Sequence, residues 1–409
     1  MGLLQKRYLF AGLSLVCSTV AAVFIAEMSL RIMMPPHYYI WPPHLKQVFK
    51  PLQDVMPGIS GDSRFEINSE GIRGDELTSA HTYRILALGG STTECLYLDQ
   101  SEAWPHLVQD AINQRAPGHK VWVGNGGVSG RTTRHHLTAI RYLPFSDLKI
   151  DAIVLLVGGN DFLIRLSQGE AYDAQFLTRP GAEDRLLHEA LSGGSSLRRD
   201  GPLLERTAIW QLVKRARDQT MWGSDRAWQQ AHVQDEAGRI YLTWRQHRRN
   251  AGTIRDALPD LSVGIAEYES NIVKLLDAAE RKSIRVVLMT QPTMWRPDLS
   301  ESLRSLLWLG GVGDFASETG KPYYSVEVLE KGMRLYNETL LKICREKAVE
   351  CIDLASALKK DTTVFYDDLH FNENGALQVS RILAEYLLSR QPFEKVMNVK
   401  RSFAVGSNR

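Results

Sequence analysis

The chain has 409 residues, a formal net charge of +2, and 44% hydrophobic against 23% charged residues. That profile suits a globular protein of two modest domains or one large α/β domain with insertions. It excludes wholesale disorder and the strongly basic balance of a nucleic-acid-binding protein, while four cysteines without C-x-x-C spacing exclude a disulfide-built scaffold and argue against a bound metal.

The first element in chain order is the uncharged, largely apolar run 8–25, preceded by Lys6 and Arg7. It is long enough to span a bilayer and longer than the apolar core of a cleavable signal peptide, so residues 1–34 are expected to form an uncleaved membrane anchor. Positive charge ahead of the run places the N-terminus in the cytoplasm and the rest of the chain outside. Pro35-Pro36 and Pro42-Pro43, with His37, Tyr38, Tyr39 and Trp41 among them, predict a juxtamembrane linker and lead-in over 35–80.

From Arg84 onward, short β-branched runs alternate with helical patterns. Strands are predicted at 84–88, 120–123, 152–157, 284–290 and 351–354, with the near-continuous apolar content of parallel strands covered on both faces. Helical spacing links Ile272, Leu275, Leu276 and Ala279, then Leu329, Met333, Tyr336, Leu340 and Ile343, then Val379, Leu383, Tyr386 and Leu387. The last helix should open near 372–374 and close the main domain, 81–392, leaving 393–409 as a frayed tail. An insertion at about 165–265 breaks the rhythm. Residues 198–255 carry 12 Lys/Arg against 6 Asp/Glu, with Trp210, Trp222, Trp228 and Trp244, which predicts a helical cap with a basic, aromatic surface.

Four short segments could carry chemistry. Gly89-Gly90-Ser91 follows the first strand and exposes a hydroxyl at a helix N-terminus, although Ser91 or Thr92 would equally serve as a helix cap. Asp367 and His370 lie three residues apart before the last helix, as a base and its orienter would, or as a turn cap beside an ordinary polar residue. The stretch 125–132 around Gly130 follows the second strand, and Gly158-Gly159-Asn160-Asp161 follows the third. Both supply the close backbone approach and amide donors of an oxyanion hole. All four would meet at the carboxyl edge of one parallel sheet, where α/β proteins bind ligands. Neither G-x-x-x-x-G-K-[ST] nor G-x-G-x-x-G is present, which excludes the common nucleotide sites.

Together, in this order and placement, these segments resemble the four blocks of the SGNH hydrolase (GDSL esterase/lipase) superfamily over roughly residues 80–392, with Gly89-Gly90-Ser91 in place of Gly-Asp-Ser. The resemblance implies a flavodoxin-like three-layer sandwich with a five-stranded parallel sheet of order 2-1-3-4-5. It implies Ser91 as nucleophile, His370 as general base and Asp367 as its orienter, with the Ser91 amide, the Gly130 amide and the Asn160 side chain as oxyanion donors. The α/β-hydrolases are disfavoured because Thr93 stands where G-x-S-x-G needs its second glycine. The alginate-acetylation type is disfavoured because its Asp/His pair precedes the serine.

The expected activity is therefore that of a membrane-anchored, extracytoplasmic serine esterase acting on acetyl or short acyl esters of cell-surface carbohydrate or lipid, without cofactor, metal or nucleic acid. An O-acyltransferase on an exported polysaccharide is the alternative, and a non-catalytic carbohydrate-binding protein is a third reading. Gln291, Thr293 and Trp295 follow the fourth strand and are expected to contact substrate, with Trp295 and Trp308 either as walls or as aromatics packed in the core. His135 and His136 are expected at the surface. Cys344 and Cys351 are expected as a disulfide or as two buried thiols.

Overall fold

Continuous apolar runs build the centre of the protein. The computed structural model describes residues 3–33, 38–116, 118–193, 207–210, 212–213 and 233–390. Five strands, β1 (Tyr83–Gly89), β2 (Val121–Gly127), β3 (Ala152–Leu156), β4 (Arg285–Met289) and β5 (Glu350–Ile352), form one sheet in the order β2-β1-β3-β4-β5. Every pairing is parallel, with Leu86 beside Ile153 and Leu155 beside Leu288. All five side chains of β3 are buried, as a strand covered on both faces requires.

Helices cover both faces. Helix α1 (Leu3–Met33) stands apart from the sheet, and α2 (Ser91–Glu94) is a single turn after β1. Next come α3 (Trp104–Arg115), α4 (Thr133–Tyr142) and α5 (Gly159–Gln168). The chain ends its main domain with α6 (Ser262–Arg281), α7 (Val326–Lys347) and α8 (Glu373–Leu388). Helix α3 packs with α8, and α4 packs with α6, which also meets α7. The predicted stripes face the core: Ile272, Leu275 and Ala279, Leu329, Tyr336 and Leu340, and Val379 and Leu387 are all fully buried. Asn372 caps α8 by accepting the Gly375 N–H at 2.9 Å. A disulfide joins Cys344 at the end of α7 to Cys351 in β5, their Cα atoms 6.2 Å apart.

Three expectations change. Residues 125–127, read as a loop after the second strand, are its last three residues and pair with 87–89. A Cβ at Gly127 would lie 2.1 Å from the Glu94 nitrogen and one at Gly126 2.7 Å from Ile40 Cδ1, so glycine lets α2 and the lead-in press onto the strand. The lead-in is folded from Tyr38 onward. Strand Lys46–Pro51 pairs antiparallel with Ser63–Glu66 and parallel with Val233–Ala237 from the insertion, while Ile40, Val55, Met56, Ile59 and Ile72 enter the main core. His136 is buried rather than at the surface, and His135 is half-buried because it closes a capping box with Thr132 at the start of α4.

In the insertion, the described residues are partly strand and partly helix. In helix Arg239–Arg249, Arg245 turns inward to the carbonyls of Val55, Leu306 and Tyr366, and Arg248 to those of Leu309 and Tyr324. Part of its positive charge is thus used in packing, while Arg239 and Arg249 stay exposed. Trp244 stacks on Trp308 with ring centroids 4.3 Å apart, and Trp210 is exposed. Trp222, Trp228 and the tail 393–409 lie outside the described residues. Helix α1 contains a stretch, Gly12–Ile32, long and apolar enough to cross a membrane or to act as a signal sequence, with a mean hydropathy of 1.9.

Candidate active site

Strand β1 delivers Ser91 to the carboxyl edge of the sheet. Gly89 and Gly90 are required there by close approach: a Cβ at Gly89 would lie 2.1 Å from Thr93 Oγ1, and one at Gly90 would lie 2.3 Å from Asn160 Nδ2. Ser91 Oγ is 2.7 Å from His370 Nε2, and His370 Nδ1 is 2.7 Å from Asp367 Oδ2. A carboxylate only accepts, so Nδ1 carries the proton and Nε2 accepts from the Ser91 hydroxyl.

Asp367 is fully buried and held on all sides. Its Oδ1 accepts the N–H groups of Leu369 at 3.0 Å and His370 at 2.9 Å, and its Oδ2 also accepts Trp308 Nε1–H at 2.9 Å. Burial alone would raise its pKa, but His370 and these donors hold it below the ordinary carboxylate value. For His370, burial opposes the charged ring, yet the Asp367 carboxylate outweighs burial and lifts the imidazole above its usual range. Asp368, next in the chain, points the other way, accepting Trp295 Nε1–H at 2.8 Å and the N–H groups of Trp308 and Leu309.

On the other side of Ser91, Gly158 adopts φ +107°, a conformation glycine tolerates, and turns the chain into α5. Asn160 Nδ2 donates to the Arg131 carbonyl at 2.9 Å. Asp161, buried and pushed by burial up to about 6, accepts the Thr133 N–H at 3.1 Å and the Thr133 hydroxyl at 2.6 Å. It thereby ties the start of α5 to the start of α4. A small cleft at this edge is lined by Gly90, Ser91, Thr92, Arg131, Asn160 and Gln291, among others.

The predicted residues therefore separate into groups. Ser91, Asp367 and His370 form one hydrogen-bonded chain, and Asn160 and Gln291 line the cleft beside it. Gly130 sits at φ +76° in the exposed turn one residue before Arg131, outside the cleft lining. Thr293 lines a different, polar cavity beside α7, which also reaches Gln291. Trp295 is fully buried against Phe162 and bonded to Asp368, so it is a core residue and not a substrate wall. The roles of two contributors were not legible in the sequence. Trp308 orients Asp367 rather than walling the cleft, and Asp161, quoted only as Asn160's neighbour, braces two loops. Only a contact across the fold identifies either one. Among the described residues no group of three or more His, Cys, Asp or Glu is placed to hold a metal ion.

Residues 87–377 match the model of the GDSL-like lipase/acylhydrolase family. No curated protein matches the chain. Similar solved structures include an alpha/beta hydrolase enzyme from the metagenome of Lake Arreo, Spain, 14% identical with a TM-score of 0.38, covering 77% of this chain and 98% of that one. The acetylxylan esterase of Geobacillus stearothermophilus is 13% identical with a TM-score of 0.38, covering 78% and 98%. A GDSL-like lipase of Bacteroides thetaiotaomicron is 10% identical with a TM-score of 0.35, covering 76% and 89%.

Proposed function

The chain belongs to the GDSL-like lipase/acylhydrolase family and is a carboxylic ester hydrolase, and on that premise we propose that it cleaves acetyl or other short acyl esters through Ser91, His370 and Asp367. The observation that carries this reading is the unbroken chain from Ser91 Oγ through His370 to Asp367, with both links at 2.7 Å. As Ser91 Oγ attacks the ester carbonyl, His370 Nε2 takes its proton and Asp367 stabilises the imidazolium. The tetrahedral oxyanion is received by the Ser91 N–H group and by Asn160 Nδ2, which has a second N–H beyond the one given to Arg131. His370 then protonates the departing alcohol, and water, deprotonated by the same imidazole, releases the acid from the acyl-enzyme.

The cleft beside Ser91 is small and bounded by Arg131, Asn160 and Gln291, which supports a short acyl group. The apolar α1 supports a membrane-anchored enzyme, and Lys6 and Arg7 ahead of its apolar run support a domain outside the cytoplasm, where it would act on esters of cell-surface carbohydrate or lipid. The test is labelling of the full chain by a fluorophosphonate, with turnover of a series of p-nitrophenyl esters. Labelling lost in Ser91→Ala, and kcat/KM falling from acetate to octanoate, is expected. A folded parent that never labels overturns the proposal.

Two further results are expected. Because His370 must be neutral to accept a proton and its pKa is raised, kcat/KM should rise with pH along an acid limb lying above about 6.5, the ordinary histidine value. In Asp367→Asn that limb should move down, as a pH–rate profile will show. Asn160→Ala should lower kcat by about 10²–10³ with KM little changed, the effect of losing one oxyanion donor. Gly90→Ala should reproduce part of that loss, because its Cβ would displace the Asn160 amide.

A further inference from the structure

Deeply placed arginines in this fold generally find carbonyl acceptors. Arg73 bonds Gln100 and the carbonyls of Arg64, Glu94, Cys95 and Leu98. Arg245 bonds three carbonyls and Arg248 two. Arg131 breaks this pattern. It is 7% exposed, its Nε is buried without a partner, and its guanidinium makes no hydrogen bond to any described residue. The Glu94 carboxylate acts on it through space but is itself bonded to Ser129 Oγ and forms no ion pair with Arg131.

Removing a guanidinium from water without giving it an acceptor is costly, and a ligand that brings an acceptor would offset that cost. Arg131 is also one of the residues lining the cleft that holds Ser91, Asn160 and Gln291. Its backbone is fixed there, since its carbonyl accepts from Asn160 and its N–H bonds the Val128 carbonyl. Its planar fork suits a carboxylate, phosphate or sulfate oxygen pair. Resting on the esterase reading above, we infer that Arg131 anchors an anionic group of the substrate, so that the enzyme selects esters whose alcohol or acyl part carries a negative charge beside the scissile bond.

The test uses the full chain in detergent and an isosteric pair, 4-acetoxybenzoate and its neutral analogue 4-acetoxybenzamide. The parent is expected to favour the benzoate by tenfold or more in kcat/KM. That preference should fall at least tenfold in Arg131→Gln, through KM, and return in part in Arg131→Lys. A parent without preference, a preference untouched by Arg131→Gln, or an equal loss on both esters overturns the inference. Should Arg131→Gln fail to fold, calorimetry on Ser91→Ala protein decides: 4-hydroxybenzoate binding more tightly than 4-hydroxybenzamide supports the inference, and equal binding overturns it. A parent that hydrolyses neither ester defeats the esterase reading, and the same calorimetric comparison still judges the anion site.

Discussion

Replacing Ser91 with alanine is expected to lower kcat on a short acyl ester by about 10⁴–10⁶, and His370→Ala should do the same, because the two act as one unit in making and moving the nucleophile's proton. The double variant should be no worse than either single one. Asp367→Asn tests the third member more sharply than truncation does. At Oδ2 the carboxylate meets His370 Nδ1–H and Trp308 Nε1–H, and at Oδ1 it meets two backbone N–H groups. Whichever way an asparagine turns, its NH₂ faces donors. The imidazole is then driven to the opposite tautomer, with a loss of about 10⁴ in kcat expected from that mechanism. Steady-state rates, fluorophosphonate labelling, and near-UV circular dichroism as a check on folding measure all four variants. Variants that keep more than a tenth of the parent's rate while folded would remove Ser91, His370 and Asp367 from the chemistry.

The sheet was legible because its strands are apolar on both faces, and a run such as Ala152–Leu156 leaves few other readings. The chemical groups were legible for a different reason: Ser91, Asn160 and the Asp367/His370 pair each sit directly after a strand or before a helix, where topology brings them to one edge. What escaped notice depends on pairs distant in sequence. Trp308 lies 59 positions from the carboxylate it holds, and nothing in its local pattern separates an orienting indole from a packing one. Trp295 shows the converse, since following the fourth strand suggested a wall, whereas Asp368 draws its N–H into the core. The glycines of β2 read as a turn because local propensity cannot register that α2 and Ile40 press on them. The lead-in read as linker because its prolines mask strands whose partner, Val233–Ala237, is far along the chain.

That lead-in supplies the largest expected effect on stability. Arg73 is 1% exposed, and burial pulls its guanidinium down only to about 10, so it is charged at neutral pH. It stands over the Phe65 ring at 4.7 Å, bonds Gln100, and gathers the carbonyls of Glu94, Cys95 and Leu98, the turn that follows the Ser91 helix. Its backbone is paired with Asn125 in both directions. Arg73→Leu preserves apolar bulk but strips the turn of its donors, leaving buried acceptors unsatisfied. About 3–5 kcal/mol of stability should be lost, the range for removing one partner from a buried charged network. Denaturant unfolding with an unchanged m-value measures it. Because the orphaned turn sits directly behind Ser91, the proposed nucleophile, kcat should fall as well, even in the fraction that remains folded. Deleting 1–80 removes Arg73 together with the Ile40, Met56 and Ile72 contacts, so a chain beginning at residue 81 should fail to give a cooperative unfolding transition. If it unfolds cooperatively with the parent's midpoint, the lead-in is an appendage to the catalytic domain rather than part of its core.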